Sequence, residues 1–112
     1  MRVGILGGGQ LAQMLVLAGV PLGIDFICLD PEVLCPASKV AKVIPSHYAN
    51  LESINALANQ VDVLTFESEN IPVDSLQNLT IPLFPSCEAL KVAQDRLSEK
   101  QFLTQLQVPV TE

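Results

Sequence analysis

A chain of 112 residues with twelve acidic residues against six Lys and Arg carries a formal charge of −6, which excludes a nucleic-acid backbone or an anionic membrane surface as its partner. Its length makes one domain over residues 1–112, large enough to bury a core without disulfides. Nearly half of the residues are apolar, yet Phe and Tyr together number five and Trp is absent, which favours an aliphatic core of the kind that builds parallel sheets.

The first stretch predicts a strand over residues 3–6, then Gly7-Gly8-Gly9, then a helix over residues 10–18. Glycine lets the backbone turn sharply, and the unpaired amides at a helix start, with the helix dipole, favour a phosphate or a carboxylate. A small-anion site is therefore expected at this turn. Gly7, Gly9 and Ala12 also fit the dinucleotide-binding fingerprint with Ala in its third place, although that pattern alone has low specificity. Leu11, Met14, Leu15, Val16 and Leu17 leave the helix with Gln10 and Gln13 as its polar side chains, so it is expected to be largely buried.

Gly19 and Pro21 supply a stop, and Gly23 releases the chain into a strand over residues 24–29. Asp30-Pro31 ends that strand; Asp30 stands where a dinucleotide enzyme grips a ribose hydroxyl, and equally where Asp caps a turn. Residues 36–38 predict one helical turn, and residues 42–45 a third strand. His47, the sole histidine, lacks a nucleophile or metal partner and reads as a surface loop residue. Asn50 is a candidate N-cap for a helix ending near Gln60, and residues 61–66 form a fourth strand.

That strand runs into Glu67-Ser68-Glu69-Asn70 at the sheet edge that binds ligands in open α/β folds, where Glu67 could accept hydrogen bonds from a ribose or an amine, or could simply be a solvated loop acid. A short helix from Pro72 to about Leu79, an edge strand over residues 81–84 and an amphipathic helical stretch from Ser86 to before Pro109 complete the chain. Arg96 and Lys100 lie one turn apart on that last stretch, and on the residues alone this is a solvated helix face. The fold class expected is α/β, an open parallel sheet of about five strands with helices on both faces. Cys28, Cys35 and Cys87 are odd in number without metal-ligand spacing and read as thiols in a reducing compartment. No secretory signal or membrane span is expected, so the expected location is cytoplasmic.

Taken together, Gly7-Gly8-Gly9-Gln10-Leu11, Pro21-Leu22-Gly23, Leu29-Asp30-Pro31, residues 65–70, Pro85-Ser86 and residues 93–103 follow one another in one order and spacing. In these motifs the chain resembles the N-terminal region of the 5-(carboxyamino)imidazole ribonucleotide synthetases, ATP-grasp enzymes of purine biosynthesis, over essentially its whole length. The resemblance implies a Rossmann-like pre-ATP-grasp domain of a carbon–nitrogen ligase, with the ATP-grasp and C-terminal domains absent and no activity from this chain alone. It implies a reaction of aminoimidazole ribonucleotide with bicarbonate and ATP, magnesium held by carboxylates of another domain, and a homodimeric full enzyme. Carried over by position, Gly8, Gly9, Gln10, Leu11 and Glu67 would bind the ribonucleotide, with the helix start facing its phosphate, and Arg96 would reach the phosphates of ATP. The chain departs from the family pattern at Ala12-Gln13, where Gly-Arg is usual, and at Ser68, where an aromatic residue is common. Gln10 favours the imidazole substrate, because a related formate-using glycinamide ribonucleotide enzyme has Glu there. An NAD-binding dehydrogenase domain and a non-catalytic nucleotide-sensing module are the competing readings.

Overall fold

The computed structural model describes residues 1–67, 71, 72, 74, 76 and 79–84. The elements are β1 (Arg2–Leu6), α1 (Gln10–Gly19), β2 (Asp25–Asp30), β3 (Lys42–Pro45), α2 (Leu51–Ala58) and β4 (Val63–Phe66). Single 3₁₀ turns at Val20–Leu22 and Pro36–Lys39 lie in the connections. All strand pairs are parallel, in the order β3-β2-β1-β4, so the N-terminal strand is central. The register sets Ile5 beside Cys28 and Thr65, and Leu6 beside Leu29 and Phe66, which aligns the ends of three strands at one edge.

Alternation along the strands divides the core between the two faces of the sheet. Ile5, Phe26 and Cys28 pack with Ala12, Val16 and Ala37 on one face. Leu6, Ile27, Leu29 and Leu64 pack with Ile54 and Leu57 of α2, and with Ile71 and Leu76, on the other. The helices thus cover both faces, as the strand–helix alternation requires.

Asn50 caps α2 as expected, its Oδ1 accepting from Ser53 N at 3.1 Å. Gly23 takes the left-handed conformation, φ 84°, that turns the chain into β2. Among the described residues the sheet has four strands where about five were expected. The segment at residues 81–84 is reduced to a parallel bridge between Leu83 and Leu64, because Pro82 has no N–H to extend a ladder. Leu64 N donates to Pro82 O and Phe84 N to Leu64 O, each at 2.9 Å, so the segment still lies along the free side of β4.

The helix α1 departs from its expected burial. Ala12, Val16 and Gly19 are buried, whereas Leu11, Met14 and Leu17 are 66%, 63% and 55% exposed. Small residues bring the helix close to the sheet, with Gly19 against the Phe26 ring, and one narrow stripe is enough to seat it. Composition alone does not separate a buried helix from one with an unpartnered apolar face. Among the described residues no helix is long and apolar enough to cross a membrane. The expected helix from Pro72 falls mostly, and that from Ser86 wholly, outside the described residues, as do Cys87, Arg96 and Lys100.

Candidate functional site

At the carboxyl edge of the sheet, the ends of β1, β2 and β4 bring Gly7, Gly8 and Gly9 together with Asp30 and Glu67. Gly7 has φ 125°, open to glycine and strained for other residues. Its N–H donates to Leu29 O at 2.8 Å, and Glu67 N donates to Leu6 O at 3.2 Å, so the turn and the end of β4 are tied to the sheet by backbone bonds.

The Glu67 carboxylate lies across the start of α1. Oε1 accepts from Gly9 N and Oε2 from Ala12 N, both at 2.6 Å. Gly9 is the N-cap of α1 and has no side chain to close the helix. In a capping box one side chain bonds the amide three residues into the helix and another returns to the N-cap amide. Here a single carboxylate, arriving from the end of another strand, makes both bonds. Charge-assisted bonds to backbone amides at a helix start also take the favourable end of the helix dipole.

Asp30 holds the other half of the turn. Its Oδ2 accepts from Gly8 N at 2.8 Å and from the Tyr48 hydroxyl at 3.1 Å, while Oδ1 accepts from Glu32 N at 2.8 Å. The last of these is a side-chain-to-backbone turn, so Asp30 caps the loop it begins; of its two sequence readings this is the one the geometry shows. Gly8 O accepts from Ala37 N at 2.9 Å, which docks the 3₁₀ turn beneath the glycines.

The three glycines admit the protein's own side chains. A Cβ at Gly7 would overlap Glu67, one at Gly9 would lie 2.6 Å from Glu67 Oε1, and one at Gly8 would lie 2.5 Å from Cys35 Sγ. An internal anion, the Glu67 carboxylate, thus occupies part of this turn. The Gln10 and Leu11 amides make no hydrogen bond among the described residues, and both side chains are exposed at the mouth of the site. Of the amides at the helix start, those of Gly9 and Ala12 are taken by Glu67, and those of Gln10 and Leu11 stay open toward a ligand.

The two carboxylates mark their neighbours electrostatically. Burial, followed by the Cys35 thiol and the charges of Glu67 and Asp30, pushes the Cys28 thiol up to about 12. Burial first, and then the charge and hydrogen bond of Asp30, raise the Tyr48 phenol above its ordinary value. Both groups are held neutral at physiological pH. Sequence reasoning missed Tyr48 and Cys35, which approach the turn from loops with no motif; the register of β2 and β3 is what carries them there.

Gly8, Gly9, Gln10, Leu11 and Glu67 are thus brought to one place, and Arg96 lies outside the described residues. His47 is exposed on its loop. Among the described residues no group of three or more His, Cys, Asp or Glu side chains is placed to hold a metal ion.

An open parallel sheet covered on both faces, with its functional groups gathered where the strands end, defines the class of α/β domains that receive ligands at their carboxyl edge. Within that class the chain belongs to the ribonucleotide synthetase preATP-grasp domain family, whose model matches residues 1–94. It is 40% identical, over 97% of its length, to an N5-carboxyaminoimidazole ribonucleotide synthase of Pseudomonas aeruginosa, of which it covers 31%. It is similar to the crystal structure of N5-carboxyaminoimidazole ribonucleotide synthetase from Thermus thermophilus, with a TM-score of 0.90 and 43% identity, covering 96% of this chain and 31% of that one. An Aspergillus clavatus N5-carboxyaminoimidazole synthase, solved with ADP and 5-aminoimidazole ribonucleotide, superposes with a TM-score of 0.87 at 29% identity, covering 99% of this chain and 31% of that one. The chain spans under a third of the length of these relatives.

Proposed function

We propose that this chain is the ribonucleotide-binding first domain of an ATP-dependent carbon–nitrogen ligase, one that carboxylates 5-aminoimidazole ribonucleotide with bicarbonate in cytoplasmic purine biosynthesis. The observation that carries the reading is the Glu67 carboxylate fixed across Gly9 and Ala12, beside the open Gln10 and Leu11 amides, in a chain of this family. A carboxylate oxygen has two lone pairs, so each Glu67 oxygen keeps one for a ligand while bonded to an amide. Those positions take donors, which the sugar hydroxyls and amines of the ribonucleotide supply. The Gln10 and Leu11 amides donate to oxygen atoms of the same ligand, and Gly8 and Gly9 keep the backbone low enough for it to approach.

In this reading the domain binds and orients the acceptor, and the remainder of the ligase supplies the chemistry. Arg96 is assigned to the phosphates of ATP, magnesium to carboxylates of another domain, and the intact ligase is a homodimer. The carboxylation therefore requires the other domains, and this chain alone is inactive.

Titration calorimetry on the 112-residue chain with 5-aminoimidazole ribonucleotide, NAD and ATP tests the assignment. Saturable binding of the ribonucleotide, abolished by Glu67→Ala, is expected. Binding of NAD with none of the ribonucleotide would refute the reading in favour of a dehydrogenase domain.

A further inference from the structure

We propose that Glu67 is a specificity residue that closes the glycine turn to diphosphate ligands. In open α/β domains that bind dinucleotides, the pyrophosphate rests on the amides of the glycine turn and the first helix start. Here the turn donates inward. Gly8 N goes to Asp30, and Gly9 N and Ala12 N go to Glu67. The space left by the absent side chains is taken as well, since Glu67 occupies the volume above Gly7 and Gly9. A pyrophosphate would have to displace a carboxylate from two short bonds, or lie against it with like charge opposing like charge.

Asp30 strengthens the exclusion. In a dinucleotide site the acidic residue at this place is free to accept a ribose hydroxyl. Asp30 instead accepts from Gly8 N, Glu32 N and the Tyr48 hydroxyl, and its charge lies beside the same turn. Among the described residues neither carboxylate is paired with a Lys or Arg, so their negative potential is offset by amides and a phenol alone. The edge accepts ligands that present hydroxyl or amine donors and rejects those that present a diphosphate. The inference holds for the turn whatever its ligand and does not rest on the ribonucleotide assignment.

Nuclear magnetic resonance on the ¹⁵N-labelled chain tests it, with inorganic pyrophosphate and NAD as probes at neutral pH and the Gly9 and Ala12 amides as reporters. In the native chain neither probe shifts these two resonances saturably. In Glu67→Ser, pyrophosphate shifts both saturably, with an affinity at least about tenfold above any weak binding by the native chain. A purely structural role for Glu67 would loosen the turn without creating affinity for an anion. A saturable shift of both amides in the native chain, or none in a Glu67→Ser variant whose spectrum is dispersed and folded, would overturn the proposal. Should the Ser variant unfold, Glu67→Ala, which likewise removes both the charge and the side chain from the turn, carries the same two outcomes.

Discussion

Glu67 and Asp30 place stability and ligand choice in the same few bonds. Gly9→Ala sets a Cβ 2.6 Å from Glu67 Oε1 and forces the carboxylate off the helix start. A hydrogen bond to a charged group contributes about 1.5–3 kcal/mol, so a loss of that order in urea unfolding is the expected outcome. Tyr48→Phe removes one bond to Asp30 from a half-buried ring and is expected to cost about 1 kcal/mol in the same measurement. It also changes the response to alkali. Cys28 and Tyr48 titrate higher in the folded chain than their ordinary values of 9.0 and 10.0, so folding favours their neutral forms and the stability they contribute is complete below those values. That contribution is lost as pH rises, for Cys28 between pH 9.0 and about 12. The urea midpoint should therefore fall above pH 9, and the fall above pH 10 should be smaller in Tyr48→Phe. The site was partly legible before the fold was known. Gly7, Gly9 and Glu67 each stand out by type and position, but that the acid fills the turn depends on the β1–β4 register, which no local pattern encodes.

At the level of elements, α2 is held by its cap and its apolar stripe, and α1 by an acid borrowed from β4. Asn50→Ala removes the Ser53 amide's acceptor and should lower the melting free energy by about 1 kcal/mol, the usual worth of an N-cap. Leu57→Ala, at a side chain with no exposure, should cost about 2–5 kcal/mol, the range for truncation in a packed core. Thermal or urea unfolding of the two variants checks both values. The strands and α2 followed from local signals: glycine punctuation, β-branched runs and an Asn before a helical stripe. What failed was the burial of α1. Its periodicity is nearly continuous in apolar residues, so the sequence could not say which of Leu11, Ala12, Met14 and Val16 faces the sheet. The close approach at Gly19 and Ala12 decided it, and that approach is a property of the packed helix.

Across the whole molecule, the exposed side chains of α1 continue into an apolar cavity of about 420 Å³ lined by Val3, Leu15, Leu22, Phe26, Val63 and Phe84 among others. Met14→Gln, on the exposed part of this surface, should change stability by no more than about 0.5 kcal/mol while lowering the binding of an apolar fluorescent dye. The central place of β1 governs how the chain can fold. Residues 2–6 precede the other strands of the sheet, yet one of their two neighbours is residues 63–66, so the middle of the sheet stays unsatisfied until that later segment has emerged from the ribosome. Such distant pairing slows folding, because the loop must close before the contacts reward it. During synthesis, then, the earliest strand is the one kept waiting longest, and a nascent chain stalled before residue 63 would present it half-paired to chaperones.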